Sequence, residues 1–302
     1  MKTVYYLSPS SFCFGVKRSI DQLNEVIIRH PDENIFCIHA LVHNPKVTKE
    51  FEHKGIVFVE NIDEVQEKDS IIIFSAHGTN RKIIEEAKEK YKKVYNLECP
   101  FVTKIYAEID NFLQKWIRKF VYIGKEHHQE WGNVITDIRN KGAEVFVYEQ
   151  GHTIEDIPYD NNETYAVLSQ TTLNFDHVQD TLQEIKKHYP NAVLPAISDV
   201  CKATWERQSV IIQNLDKFET LVVIWWKESN NTKELAELWI KNSKQTFYGE
   251  SLEDIIQYPE SQVFLHENIA ITWWASTPIE DIRAVFDYYK NHGYTPKILE
   301  LQ

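Results

Sequence analysis

Cys13, Cys99 and Cys201 occupy matching points of an internal threefold repeat, so three thiols are the side chains best placed for shared chemistry. Each opens a stretch of helical periodicity. Each is followed by a polar cluster that ends an apolar run: His43-Asn44, His128-Gln129-Glu130 and Ser229-Asn230-Asn231. The spans Cys13 to His43, Cys99 to His128 and Cys201 to Ser229 are 30, 29 and 28 positions. Repeated units stack or close on one another. Closing three of them about an axis brings the thiols to one site.

Widely spaced cysteines with no Cys-x-x-Cys pair fit two metal centres. Structural zinc draws its ligands from short local spacings. A four-iron four-sulfur cluster on three cysteines leaves one iron free to polarise a substrate oxygen. Spacing alone leaves cluster, zinc or neither open. Cys37 is different: it lies six residues before His43, where the other repeats have Tyr122 and Val223, and it reads as strand-core packing. His43, His77 and His128 stand at strand ends and, with Ser229, Asn231 and Ser276, offer donors suited to phosphate oxygens. Glu130 is the one carboxylate within these clusters. Buried, it would be held protonated and serve as a general acid.

The rest of the composition bounds the setting. The chain has 302 residues and a formal charge of −12, which argues against a nucleic-acid partner. The start lacks the pattern of a secretion signal. The purest apolar runs, such as 221–226, fall far short of the roughly 18 residues a membrane span needs. The expectation is a soluble cytoplasmic protein with reduced thiols.

The elements that must position these residues alternate. After Cys13 come Val16, Ile20, Leu23 and Ile27; after Cys99 come Val102, Ile105, Ile109, Phe112 and Trp116; a third helix from about Ala203 carries Ile212, Leu215 and Phe218. Apolar runs follow at 35–42, 120–124 and 221–226, then short amphipathic helices ending at Gly55, Gly142 and Asn242, then second strands at 56–59, 144–147 and 246–248. A tetrapeptide recurs next: Ile62-Asp63-Glu64-Val65, Ile154-Glu155-Asp156-Ile157 and Leu252-Glu253-Asp254-Ile255. Third runs end in Ser75-Ala76-His77-Gly78, Ser169-Gln170-Thr171-Thr172 and Ala275-Ser276-Thr277-Pro278. Such alternation predicts an α/β fold of small parallel sheets, with ligands beyond the carboxyl ends of the strands. The expected units are 1–98, 99–197 and 198–302. The segment 4–7 leads into Cys13 while the terminal strand 296–301 has no following cysteine, so the ends close the ring.

In these segments the chain resembles the 4-hydroxy-3-methylbut-2-enyl diphosphate reductase (LytB) family. The matching pieces are 12–16 (FCFGV), 39–44 (HALVHN), 75–78 (SAHG), 99–104 (CPFVTK), 128–130 (HQE), 170–173 (QTTL), 199–204 (DVCKAT), 229–231 (SNN) and Ala275-Ser276. The resemblance implies a trefoil of three α/β units around a [4Fe-4S] cluster held by Cys13, Cys99 and Cys201. It implies that His43, His77, His128, Thr172, Ser229, Asn230, Asn231 and Ser276 bind the substrate and its diphosphate. It gives Glu130 the supply of protons and Thr171 the placing of the substrate hydroxyl. The implied reaction removes that hydroxyl as water with two electrons and two protons, yielding isopentenyl and dimethylallyl diphosphates. No G-x-G-x-x-G follows a strand, so the electrons come from an external carrier such as a flavodoxin or ferredoxin.

The chain departs from the family pattern near the site. Phe14 replaces an Ala, Trp225-Trp226 replace Gly-Ser before Lys227, and Trp273-Trp274 replace Ala-Gly. Gln129 replaces a Pro and Asn230 a Ser. Core-facing aromatics that compensate for one another are one reading. Two others are the same chemistry on a different allylic alcohol, and a non-catalytic cluster-binding module.

Overall fold

The computed structural model describes residues 1–9, 11–125, 129–149, 151–160, 162–224 and 245–301. In chain order the strands are β1 (Thr3–Leu7), β2 (Ile35–Ile38), β3 (Ile56–Val59), β4 (Ile71–Phe74), β5 (Lys93–Asn96), β6 (Lys119–Ile123), β7 (Glu144–Tyr148), β8 (Tyr165–Ser169), β9 (Thr220–Ile224), β10 (Gln245–Gly249), β11 (Asn268–Trp273) and β12 (Thr295–Leu299). They form three sheets, ordered β3-β2-β4-β5, β7-β6-β8 and β10-β9-β11-β1-β12. Every pairing in them is parallel. The chain divides into two compact units, residues 15–201 and residues 1–14 with 202–302.

The strand sequences account for this. β4 reads Ile-Ile-Ile-Phe and β9 reads Thr-Leu-Val-Val-Ile, and every residue of both is buried. Near-continuous apolar strands belong to parallel sheets covered on both faces. The edge strand β12 is mostly exposed and carries Pro296, which an edge tolerates because no ladder bond is lost. β1 lies between β11 and β12, so the segment that leads into Cys13 extends the sheet of the last third of the chain. In the β6 sheet Val193 makes a parallel bridge to Ala166, in the place that β5 takes beside β4.

The helices follow the repeat. Helix α1 (Phe14–Arg29) begins one residue after Cys13, α4 (Pro100–Gln114) one after Cys99 and α7 (Lys202–Ile212) one after Cys201. Asn44 caps α2 (Pro45–His53) by accepting from the amides of Lys46 and Val47. Asn80 caps α3 (Arg81–Lys90), and Asn174 caps α6 (Phe175–His188), in the same manner. Helix α5 is Gln129–Asn140. The recurring tetrapeptide forms one helical turn in each repeat: Ile62–Glu64, Ile154–Asp156 and Leu252–Ile255.

The helical periodicity overruns in two places. Trp116 lies beyond α4 in a left-handed conformation, 84% exposed, because the chain reverses at Lys115 and buries Ile117 instead. Leu215 belongs to a separate short turn, and Phe218 packs in the approach to β9. Asn242, read as the end of a helix, lies outside the described residues.

Candidate active site

Each cysteine of the repeat is moored by the same hydrogen bond. The Cys99 amide donates to the Ala76 carbonyl at 3.0 Å, the Cys201 amide to the Thr171 carbonyl at 2.8 Å, and the Cys13 amide to the Ala275 carbonyl at 3.0 Å. Ala76, Thr171 and Ala275 are the small residues that follow β4, β8 and β11. The third run of each repeat therefore holds the cysteine that opens a helix. All three thiols are half-buried and free of disulfides, and each precedes a helix start, where the backbone dipole favours an anionic ligand atom. Cys37 is fully buried in β2, where burial pushes its thiol far above the ordinary range. It is core, whereas each of the three repeat cysteines is a half-buried thiol, a ligand type that soft metals favour. Among the described residues no group of three or more Cys, His, Asp or Glu side chains is gathered as a metal site.

In the unit of residues 15–201, Glu130 and Thr171 meet. Glu130 stands in the first turn of α5, 3% exposed. Its Oε1 accepts the Thr171 amide at 2.8 Å, and its Oε2 accepts the Thr171 hydroxyl at 2.6 Å. Burial raises the Glu130 carboxyl to about 7, against the opposing pull of the Thr171 hydroxyl, the Thr171 amide and the Tyr122 phenol. Gln170, also buried, ties the neighbourhood together. Its Oε1 accepts the Lys125 amide at 3.1 Å and its Nε2 donates to the Thr172 hydroxyl at 2.9 Å.

Two more buried carboxyls brace the segments before the cysteines. Glu98 accepts the Thr103 hydroxyl at 2.7 Å and faces Arg81 at 3.4 Å; burial raises its carboxyl. Asp199 accepts the Ser169 amide at 2.9 Å and pairs with Lys104 at 3.2 Å; burial and the nearby Glu108 raise it. His43 and His77 come together, their ring centroids 3.9 Å apart. Gly78 follows His77 with φ +87°, and a Cβ there would lie 2.9 Å from Val102 Cγ1. Its carbonyl accepts the Asn133 amide group at 2.9 Å, which fastens the His77 turn to α5.

In the other unit, Ser276 is buried just beyond β11. Arg207, 3% exposed, donates to the Ser11 carbonyl at 2.8 Å and so secures the approach to Cys13. Trp273 and Trp274 are both buried and face opposite sides of their sheet. Trp273 packs with Tyr6, Phe247 and Val285, and Trp274 with Leu7, Val210 and Phe218. Phe14 is exposed.

His128, Ser229, Asn230 and Asn231, and with them Trp225 and Trp226, lie outside the described residues. Sequence reasoning missed Glu98, Asp199, Gln170 and Arg207 as supports. Glu98 and Asp199 carry a signal, since each is a carboxylate one or two residues before a repeat cysteine. Nothing marks Arg207 in advance.

Similarities to known proteins span nearly the whole chain. The sequence pattern of the LytB protein family matches residues 4–290. The 4-hydroxy-3-methylbut-2-enyl diphosphate reductase of Actinobacillus pleuropneumoniae serotype 7 (strain AP76) is 32% identical over 288 residues, 95% of this chain and 90% of the relative. The Wolbachia pipientis wMel enzyme of the same name is 28% identical, over 93% of this chain and 89% of its own. Among solved structures, the E-1-hydroxy-2-methyl-but-2-enyl-4-diphosphate reductase of Plasmodium falciparum superimposes with a TM-score of 0.88 and 25% identity, over 99% of this chain and 92% of that one. With a matching family pattern, matching length and the same fold, the chain belongs to the LytB family.

Proposed function

We propose that this chain is a reductase that converts (E)-4-hydroxy-3-methylbut-2-enyl diphosphate into isopentenyl and dimethylallyl diphosphates. The observation that carries the reading is the Glu130–Thr171 pair: a buried carboxyl poised near neutrality, with a hydroxyl on one oxygen. Loss of the allylic hydroxyl breaks a C–O bond and consumes two electrons and two protons. One proton leaves with the oxygen as water, and the other ends on an allylic carbon. Hydroxide is a poor leaving group, so the first proton must come from an acid at the oxygen. Glu130 supplies it, and on the Thr171 side Oε2 is the oxygen whose partner, a hydroxyl, can accept as well as donate. The Thr171 hydroxyl orients the substrate oxygen at that position.

Cys13, Cys99 and Cys201 would hold a [4Fe-4S] cluster, which supplies electron delivery and a Lewis-acid iron when bound. Thiol chemistry, matching helix-start positions and matching amide mooring support that assignment. An external one-electron carrier of the flavodoxin or ferredoxin class provides the electrons. His43 and His77, with His128, Thr172, Ser229, Asn230, Asn231 and Ser276, form the substrate and diphosphate set; the close approach of the first two supports a shared anion. The burial of Trp273 and Trp274 within packed clusters supports an unaltered substrate over a reshaped pocket. No helix among the described residues is long and apolar enough to cross a membrane, which supports a cytoplasmic enzyme. The three repeats, 1–98, 99–197 and 198–302, would be arranged about the cluster.

The test is turnover of this diphosphate by anaerobically purified chain with a chemical reductant, alongside the free alcohol. Both five-carbon diphosphates should form, and the alcohol should react poorly. Equal use of the alcohol, or no product from cluster-loaded protein, contradicts the reading.

A further inference from the structure

We propose that Arg18, Lys104 and Arg207 are positioning residues for the cluster ligands: each stands on the helix that one repeat cysteine opens and holds the peptide leading into the next cysteine. The proposal rests on the reading of Cys13, Cys99 and Cys201 as ligands of one cluster. Arg18 lies five positions past Cys13, on α1, and its Nη1 donates to the Glu98 carbonyl at 3.0 Å, one residue before Cys99. Lys104 lies five positions past Cys99, on α4. Its Nζ donates to the carbonyls of Ile197 at 3.1 Å and Ser198 at 3.5 Å and to Asp199 Oδ1 at 3.2 Å, in the peptide before Cys201. Arg207 lies six positions past Cys201, on α7, and its Nη2 donates to the Ser11 carbonyl at 2.8 Å, two residues before Cys13. The three cations link the first repeat to the second, the second to the third and the third to the first. Position five of the third helix is Glu206, so the sequence repeat does not by itself reveal the set.

The carbonyls concerned need donors. β5 ends at Asn96, and residues 197–199 belong to no strand or helix, so the peptides before Cys99 and Cys201 lie past the sheet ladders. A neutral donor satisfies such a group, as the Ser19 hydroxyl does on the Leu97 carbonyl at 2.7 Å. A charged donor holds more firmly, and all three approaches have one. Arg207 carries its charge into a buried place, a cost that packing alone does not require. The hold of Lys104 reaches further than the carbonyls. Glu108, one turn on, steadies the ammonium at 3.2 Å, and the other oxygen of Asp199 takes the Ser169 amide at 2.9 Å. Ser169 ends β8, two residues before the Thr171 carbonyl that moors Cys201. One ammonium on the Cys99 helix therefore fixes both the peptide before Cys201 and, through Asp199, the strand end that moors it. A cluster on three thiolates stays only while all three keep their places. Groups that orient metal ligands from behind commonly account for about 10–100-fold in metal affinity.

The test is iron release from anaerobically purified, cluster-loaded protein to an excess of a ferrous chelator, followed by absorbance. The thermal midpoint of the cluster-free protein is measured beside it. Arg18→Met, Lys104→Met and Arg207→Met should each speed release about 10–100-fold. Arg18→Lys, Lys104→Arg and Arg207→Lys should restore most of the wild-type rate. Lys17→Met, which removes only the exposed pair with Asp21 on the same helix as Arg18, should leave release unchanged. Where a Met variant fails to fold, the Gln variant at that position takes its place. A wild-type release rate in any of the three overturns the proposal of a set, and so does equal speeding by Lys17→Met. Faster release that only follows a lowered cluster-free midpoint, with no rescue by the conservative variants, overturns it as well, because it marks a general loss of stability. Wild-type protein without iron–sulfur absorption overturns the cluster reading itself and is recognised before any variant is compared.

Discussion

Thr171 binds both oxygens of the Glu130 carboxyl, its amide on Oε1 at 2.8 Å and its hydroxyl on Oε2 at 2.6 Å. The two contacts are not equivalent. An amide N–H can only donate, whereas a hydroxyl donates or accepts. Proton exchange with Thr171 is thereby confined to Oε2, where the Thr171 hydroxyl can reverse its role.

Thr171→Val removes the hydroxyl and keeps both the shape and the amide bond. Losing a hydrogen bond to a charged group should slow turnover by about 10- to 100-fold. Thr171→Ser should recover most of it. Because the hydroxyl opposes the upward shift at Glu130, the Val variant should also hold its proton to higher pH than wild type. Turnover at saturating substrate across pH 5–9 measures both effects.

An acid with a value of about 7 gives turnover that falls as pH rises through neutrality. Stability follows the same sign. The folded carboxyl, raised from 4.5 to about 7, binds more proton than the unfolded one between those values. Its contribution is full below about pH 4.5 and lost as pH rises through 7. Denaturant titrations of cluster-free protein should show Glu130→Gln gaining on wild type from pH 4 to pH 8, by up to about 3 kcal/mol.

Much of the α/β order was legible because parallel strands and crossover helices write themselves as alternating apolar runs. β4 and β9 are such runs, and the recurring tetrapeptide became a helical turn three times. Trp116 misled because its spacing continues the α4 stripe, and spacing does not report where a chain reverses. At the site, Glu130 and Thr171 lie 41 residues apart, and nothing in that interval announces their contact. Glu130 was read from the clusters as their one carboxylate, and the role of Thr171 came through resemblance. Tyr122 was read as packing, and it is fully buried in β6.

Each of Cys13→Ser, Cys99→Ser and Cys201→Ser should abolish the brown, oxygen-sensitive chromophore of anaerobically prepared protein. Cys37→Ala should keep it, at a packing cost of about 1 kcal/mol. Absorption and iron content, read with the thermal midpoint, separate cluster loss from unfolding.

Gly78→Ala should destabilise the chain by about 1–3 kcal/mol. An alanine is strained at φ +87°, and its Cβ would press on Val102 at 2.9 Å. Relief by movement would carry His77 with it, so diphosphate affinity should fall as well. Denaturation midpoints and substrate titration report the two effects.

The central claim is that Glu130 donates the proton that lets the hydroxyl leave, and Glu130→Gln tests it most directly. The amide keeps the size of the side chain and loses the acidic proton. Cluster content, substrate affinity and turnover are measured on one anaerobic preparation. The expected result is retained cluster, retained binding and turnover reduced about 10²–10⁴-fold. Turnover close to wild type, with cluster and binding intact, would contradict it.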